Sequence, residues 1–254
     1  MLVPWRLARG GKPLERRAVL LAFLGGAFFA LDIALFNTAV LRTSVANATL
    51  LGSNAPIFVG LATWFVFHKR PPLSFWIGLA LALAGCALIV AAGALWSASG
   101  PTDLTGDLLA LSCAVFWAAY MLTAERVRTH MDTLTFNTLA IVGSVLTLLP
   151  ICLLLDLPLS GYSGRTWASL FGLGLVSQLA SYFALVYALG HLPATLTSVG
   201  FLAQVPLTAL LAVLVFGEPI SGAQIAGGVL VLAGIYVVNR PTGPSRQPPA
   251  STEH

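Results

Sequence analysis

Phe28-Phe29-Ala30-Leu31-Asp32-Ile33-Ala34-Leu35-Phe36 sets a single carboxylate in the middle of an otherwise apolar run. Every other Asp, Glu, Lys and Arg of the chain falls in a tail or in a short loop between long apolar segments. Eight such segments follow one another, at residues 18–41, 45–67, 73–95, 108–124, 134–155, 167–189, 193–216 and 220–238. The hydrocarbon core of a bilayer is about 30 Å thick and takes about 20 helical residues. A backbone inside it must satisfy its own hydrogen bonds, so each segment is read as a helix. Interiors rich in Leu, Ala and Gly do not alternate as barrel strands do. The fourth span is short and is expected to begin earlier, near Leu104. Composition agrees: 57% of residues are hydrophobic and 9% charged, where a soluble domain is about a quarter charged. Mean hydropathy is +0.89. The expected fold class is an all-α membrane protein with eight transmembrane helices.

Lys and Arg in short loops set orientation. Arg6, Arg9, Lys12, Arg16, Arg17, Lys69, Arg70, Arg126, Arg128, Arg240 and Arg246 fall on one side, Arg42 and Arg165 on the other. Both termini are therefore expected in the cytoplasm of a multi-pass protein of the plasma membrane, the inner membrane of a bacterium. The sequence pI near 9.3 reflects these loops and calls for no nucleic acid. Cys86, Cys113 and Cys152 all lie within spans, without disulfide or metal spacing, and read as small packing residues. The basic start is read as leading into an uncleaved first span rather than a signal peptide. The Pro/Ser-rich tail is read as disordered.

Displaced by 149 residues, spans one to three overlay spans six to eight: Leu24, Gly25 and Ala39 fall on Leu173, Gly174 and Ala188. Phe67, Gly78, Ala84 and Gly85 fall on Phe216, Gly227, Ala233 and Gly234. At a displacement of 150, Asn47, Asn54 and Pro56 match Thr197, Gln204 and Pro206. Residues seven apart share a helix face, so each half is expected to carry a polar stripe ending at a proline. A proline removes a backbone donor, and matched Pro-interrupted spans point to a transport site near the midplane. The other reading is a kink with interhelical amide packing. The two copies start five spans apart, an odd number, so they run in opposite directions across the membrane, the inverted repeat of many secondary transporters.

Pro206, Phe216-Gly217-Glu218-Pro219 and Gly227…Leu232-Ala233-Gly234, echoed by Pro56, Phe67 and Gly78…Leu83-Ala84-Gly85, resemble the repeat ending of the EamA-type drug/metabolite transporter family. The resemblance implies ten helices in two inverted five-helix repeats. It covers residues 18–238 and divides the chain into a cytoplasmic tail (1–17), a three-helix first repeat (18–95), a five-helix second repeat (104–238) and a disordered cytoplasmic tail (239–254). Two features depart from it. His68-Lys69-Arg70 stands where the family has Gly-Glu, and counterparts of the family's first two helices are not found. The expectation is a misassigned start or a shortened member.

The sharpest site candidate is Asp32. An aspartate at a helix centre costs about 2.5–3.5 kcal/mol to insert, so it is expected to face protein or water. It is a candidate for proton coupling or for contact with a cationic substrate group; the alternative is a hydrogen-bonded brace between helices. Gln178, Ser181 and Tyr182 form one polar stripe in span six. In span four Trp117 and Tyr120 are three apart, suited to stacking on an organic solute or to packing. The transport-pathway candidates are Asp32, Asn47, Asn54, Pro56, Trp117, Tyr120, Gln178, Tyr182, Gln204 and Pro206. Asn37 lies about 140° around the helix from Asp32 and is not assigned to its face. The Gly78/Gly85 and Gly227/Gly234 faces allow close helix approach, within the chain or in a homodimer. Glu218 is read as turn chemistry.

Enzymatic readings are weak. Gly161-Tyr162-Ser163-Gly164 resembles a rhomboid-type nucleophile motif but lies in a loop with no histidine at membrane depth. Gly106-Asp107 lacks the preceding glycine of intramembrane aspartyl proteases. No cofactor is called for. The functional expectation is a secondary transporter of a small metabolite or organic solute working by alternating access, its partners the lipid bilayer and a small-molecule substrate. The alternative is a non-transporting or truncated membrane subunit that needs further helices.

Overall fold

The computed structural model describes residues 15–94, 103–156, 160–216 and 221–240. Residues 1–14 and 241–254 of the two tails, and Glu218, lie outside them. The described residues hold no strand. In chain order the helices are α1 (Arg16–Val40), α2 (Val45–Gly52), α3 (Ala55–Phe65), α4 (Leu73–Ala94), α5 (Leu104–Arg128) and α6 (Thr133–Leu154). Then come α7 (Gly164–Gly172), a π-helix (Leu173–Ala180), α8 (Ser181–Leu189), α9 (Ala194–Phe201), α10 (Gln204–Phe216) and α11 (Gly222–Asn239). The chain is an all-α membrane protein. Seven stretches are long and apolar enough to cross a bilayer, among them α2–α3 and α9–α10 each taken as one unit. The sixth predicted span is helical throughout, but as the composite α7–π–α8. The fourth begins at Leu104, as its length required.

Polar residues at the segment boundaries start the helices. Ser44, Asp103, Asp132 and Ser163 each accept a backbone N–H of the turn that follows, satisfying donors that an isolated helix leaves bare. Ser221 and Gln224 close a reciprocal capping box on α11. His68 adopts φ +55°, the left-handed conformation that glycine takes most readily. The substitution noted in the second–third loop therefore falls at a backbone position suited to glycine.

Two groups of helices make the core. In the first, α1 lies against α5 and α6, packing Ala18 and Ala22 with Ala114, Met121 and Phe136. In the second, α4 and α11 cross closely, and Phe75, Leu79 and Cys86 pack with Val199 and Val231. The segments α3 and α9 contribute to both groups. That places the two interrupted helices between the packed halves.

The crossing of α4 and α11 is made by the glycines singled out in the sequence. A methyl group added at Gly78 would sit 2.5 Å from the Gly234 carbonyl oxygen, and one at Gly85 2.5 Å from that of Gly227. The early glycine of each helix meets the late glycine of the other, so the helices run antiparallel. Hydrocarbon provides no hydrophobic drive between helices, and such backbone contact is what holds them. These faces pair within the chain. Gly85→Leu is expected to lower stability by about 1–3 kcal/mol through overpacking, read as a lower unfolding midpoint in detergent. Gly172→Ala, at a position with open space around it, should stay within about 0.5 kcal/mol.

Candidate functional site

Where α3 and α9 stand between the two packed groups, α1, α5 and α8 close a cavity of about 530 Å³. Its wall joins two helix breaks. The first lies at Ser53-Asn54, between α2 and α3, with Pro56 in the first turn of α3. The second lies at Leu202-Ala203, between α9 and α10, with Pro206 just inside α10. The breaks occupy matched positions in the 149-residue overlay.

Each break leaves carbonyls to satisfy. At the first, the Asn54 amide donates to the Leu50 and Leu51 carbonyls at 2.9 and 3.1 Å. The Ser53 hydroxyl donates to Thr49 O at 2.7 Å. At the second, tight three-residue bonds do the same: Leu202 N–H to Val199 O and Ala203 N–H to Gly200 O, both at 3.1 Å. Asn54 thus serves the backbone, and it is not among the residues lining the cavity.

Asp32 lines the cavity, half-buried, from the middle of α1. It is the one charged side chain among the described lining residues. The Cys113 thiol lies beside it and donates to Ala110 O at 3.0 Å. Polar groups from both breaks share the wall: Thr49 and Ser53 from the first, Ser198 and Gln204 from the second. Pro56 is there as well. Asn37 also lines it, although it sits far around α1 from Asp32. The cavity wraps a broad sector of α1, from Asp32 through Ile33 and Phe36 to Asn37.

Aromatic rings close one end. Trp117 stacks on Tyr120 at a centroid distance of 5.4 Å and meets Phe201 at 5.3 Å. Tyr182 stands edge-on to Phe29 at 4.7 Å and to Trp117 at 5.9 Å. Trp117 and Tyr182 line the cavity; Tyr120, only 2% exposed, does not.

The candidates therefore divide. Asp32, Pro56, Trp117, Tyr182 and Gln204 come together on one wall. Asn47 lies in the first turn of α2, where its backbone N–H is capped by Ser44. Pro206 packs toward Gly228 of α11. Gln178 lies in the π-helix, and its side chain is outside the described residues. The two-turn polar stripe from Asn47 to Asn54 is interrupted, because the helix ends between them. Thr49, Ser53, Cys113 and Ser198 were missed. Cys113 and Trp117, four apart on one helix face, were the available signal for α5. The residues behind the enzymatic readings are engaged elsewhere: Ser163 caps α7, and Asp107 accepts the Thr43 hydroxyl at 2.7 Å.

This architecture has relatives. A transporter of Bacillus subtilis, YwfM, described as uncharacterized, is 32% identical over 236 residues, covering 92% of this chain and 77% of the relative. The pseudopaline exporter CntI of Pseudomonas aeruginosa is 26% identical over 241 residues, 94% of this chain and 82% of the exporter. A solved crystal structure superposes with a TM-score of 0.75 at 22% identity, covering 93% of this chain and 82% of that one, and so shares the fold. The EamA-like transporter family profile matches residues 1–91 and 104–240; the chain belongs to this family and is a membrane transporter.

Proposed function

We propose that the protein is a secondary transporter that carries a small organic solute through the Asp32 cavity by alternating access. The observation that carries this reading is the meeting of two matched helix breaks at a cavity with a single charge. A lone carboxylate among amide, hydroxyl and aromatic groups suits a solute with a cationic or hydrogen-bond-donating group and disfavours an anion. Asp32 is also the residue placed to carry a coupling proton. No nucleotide-binding loop is present in the sequence, so the energy source on this reading is an ion or solute gradient, and no chemical step is involved. The CntI relative is named as an exporter, which makes outward movement the first direction to assay.

The antiparallel glycine crossing supports two inverted halves. Displacement by 149 residues carries the Gly78–Gly234 pair onto Gly227–Gly85, the other contact of the same crossing. That exchange is expected of a two-fold axis lying in the membrane plane. The basic-residue asymmetry supports a cytoplasmic position for both termini.

The test is flux into proteoliposomes with a panel of cationic, neutral and anionic metabolites. Loss of a charge-assisted contact worth about 1.5–3 kcal/mol predicts that Asp32→Asn lowers flux of the cationic substrate roughly ten- to hundredfold. PH-dependent flux that persists unchanged in Asp32→Asn removes Asp32 as the proton carrier. Single cysteines introduced at positions 69 and 218 should react with impermeant reagents from opposite sides. Labelling of both from one compartment would end the inverted-repeat reading.

A further inference from the structure

A second cavity, of about 330 Å³, lies between α6 and the α7–π–α8 span. On α6 it is lined by Asn137, Ala140, Ile141 and Ser144, residues at helical spacing that share one face. Opposite them stand Gly174, Leu175 and Leu179 of the π-helix, and Phe29, Tyr120 and Tyr182 form the inner end. Gly174 has no atom within 4 Å of where a side chain would begin. π-Helical turns are uncommon and concentrate at functional sites.

The inner end and the mouth differ. Tyr120, Ala140, Ser144 and Asn137 are buried, whereas Ile141, Leu175 and Leu179 are 51%, 62% and 47% exposed. Ile141 lies in a stretch long and apolar enough to cross a bilayer, and Leu175 and Leu179 lie in the apolar segment 167–189 read from the sequence as the sixth span; on that reading the mouth opens sideways toward acyl chains. The Ser144 hydroxyl is engaged with the Gly26 and Ala140 carbonyls at 2.8 and 2.9 Å. The Asn137 side-chain nitrogen, on a residue 6% exposed, has no hydrogen-bond partner among the described residues. A buried amide donor in a bilayer has no water to turn to. An oxygen acceptor brought in by a ligand would satisfy it. Mostly apolar walls with one placed polar group, at this volume, are the usual form of a small-molecule site.

We propose that this cavity binds an uncharged amphipathic molecule dissolved in the bilayer, its apolar body between α6 and the π-helix and its hydroxyl or carbonyl oxygen on the Asn137 amide. No charged side chain is among the described lining residues, which sets the site apart from the Asp32 cavity. Tyr182 is the one residue that lines both.

The probe is a long-chain alcohol carrying a mid-chain diazirine, photolysed in phosphatidylcholine proteoliposomes, with labelled residues mapped by mass spectrometry. Labelling is expected to saturate at Ile141, Leu175 and Leu179 and to be displaced by unlabelled alcohol. It should fall about fivefold in Asn137→Leu, the worth of one neutral hydrogen bond, while a diazirine alkane of equal length labels both proteins alike. Ala140→Phe fills the cavity, and Ile141→Trp narrows the mouth from an exposed position that leaves the core intact; each should abolish saturation. Non-saturating label spread equally over the lipid-facing Leu153 and Leu154 would overturn the proposal. So would a diazirine phosphatidylcholine that saturates the cavity and resists displacement by the alcohol. The readout is binding alone and is independent of transport.

Discussion

Hydrocarbon offers no hydrogen bonds, so every backbone carbonyl freed at membrane depth must find its donor inside the protein. The helix breaks at Ser53-Asn54 and Leu202-Ala203 are where this constraint acts most strongly. At the first, the Asn54 amide reaches back to the Leu50 carbonyl, and its backbone N–H closes a three-residue turn onto Leu51. At the second, the backbone tightens into three-residue turns. Each solution keeps the break inside protein, against a cavity, which is the environment in which irregular backbone is tolerated in a membrane.

The rest of the bundle positions those breaks. Close contact between α4 and α11, possible because glycine carbonyls face glycine backbones, forms one rigid group. The alanine-rich contact of α1 with α5 and α6 forms the other. The interrupted helices run between them and belong fully to neither. The cavity and its carboxylate therefore lie where the packing is divided, a suitable place for two halves to move against each other. The aromatic cluster of Phe29, Trp117, Tyr182 and Phe201 draws its rings from α1, α5, α8 and α9. All four rings belong to the first group, and they stand between the central cavity and the lateral one.

Much of this was legible in the chain because the bilayer imposes length and apolarity so strongly. Span positions, the early start at Leu104, the membrane class and the two proline-marked interruptions all follow from residue order. The small-residue faces were legible too, though not their partner. The site was legible in half. Asp32 stood out because a charge in an apolar run is costly, and Pro56 and Gln204 because they mark matched interruptions. Asn54 carried the same pattern yet is used by the backbone, since an amide beside a break is close enough to take the freed carbonyls itself. Thr49, Ser53 and Ser198 carried no signal, because hydroxyls bonded to their own helix are common in every span.

Sequence alone determined that the chain crosses a membrane as helices, which apolar segments form them, and which two carry proline-marked interruptions, because solvent and local backbone chemistry decide such matters segment by segment. Tertiary structure decided which glycine faces meet, that Asn37 and Asp32 share one cavity, that the sixth span carries a π-helix, and that the Asn137 side-chain nitrogen is buried without a partner among the described residues. Those outcomes depend on which helices come to lie side by side, and in a chain rich in Leu, Ala and Gly many pairings have nearly the same local cost.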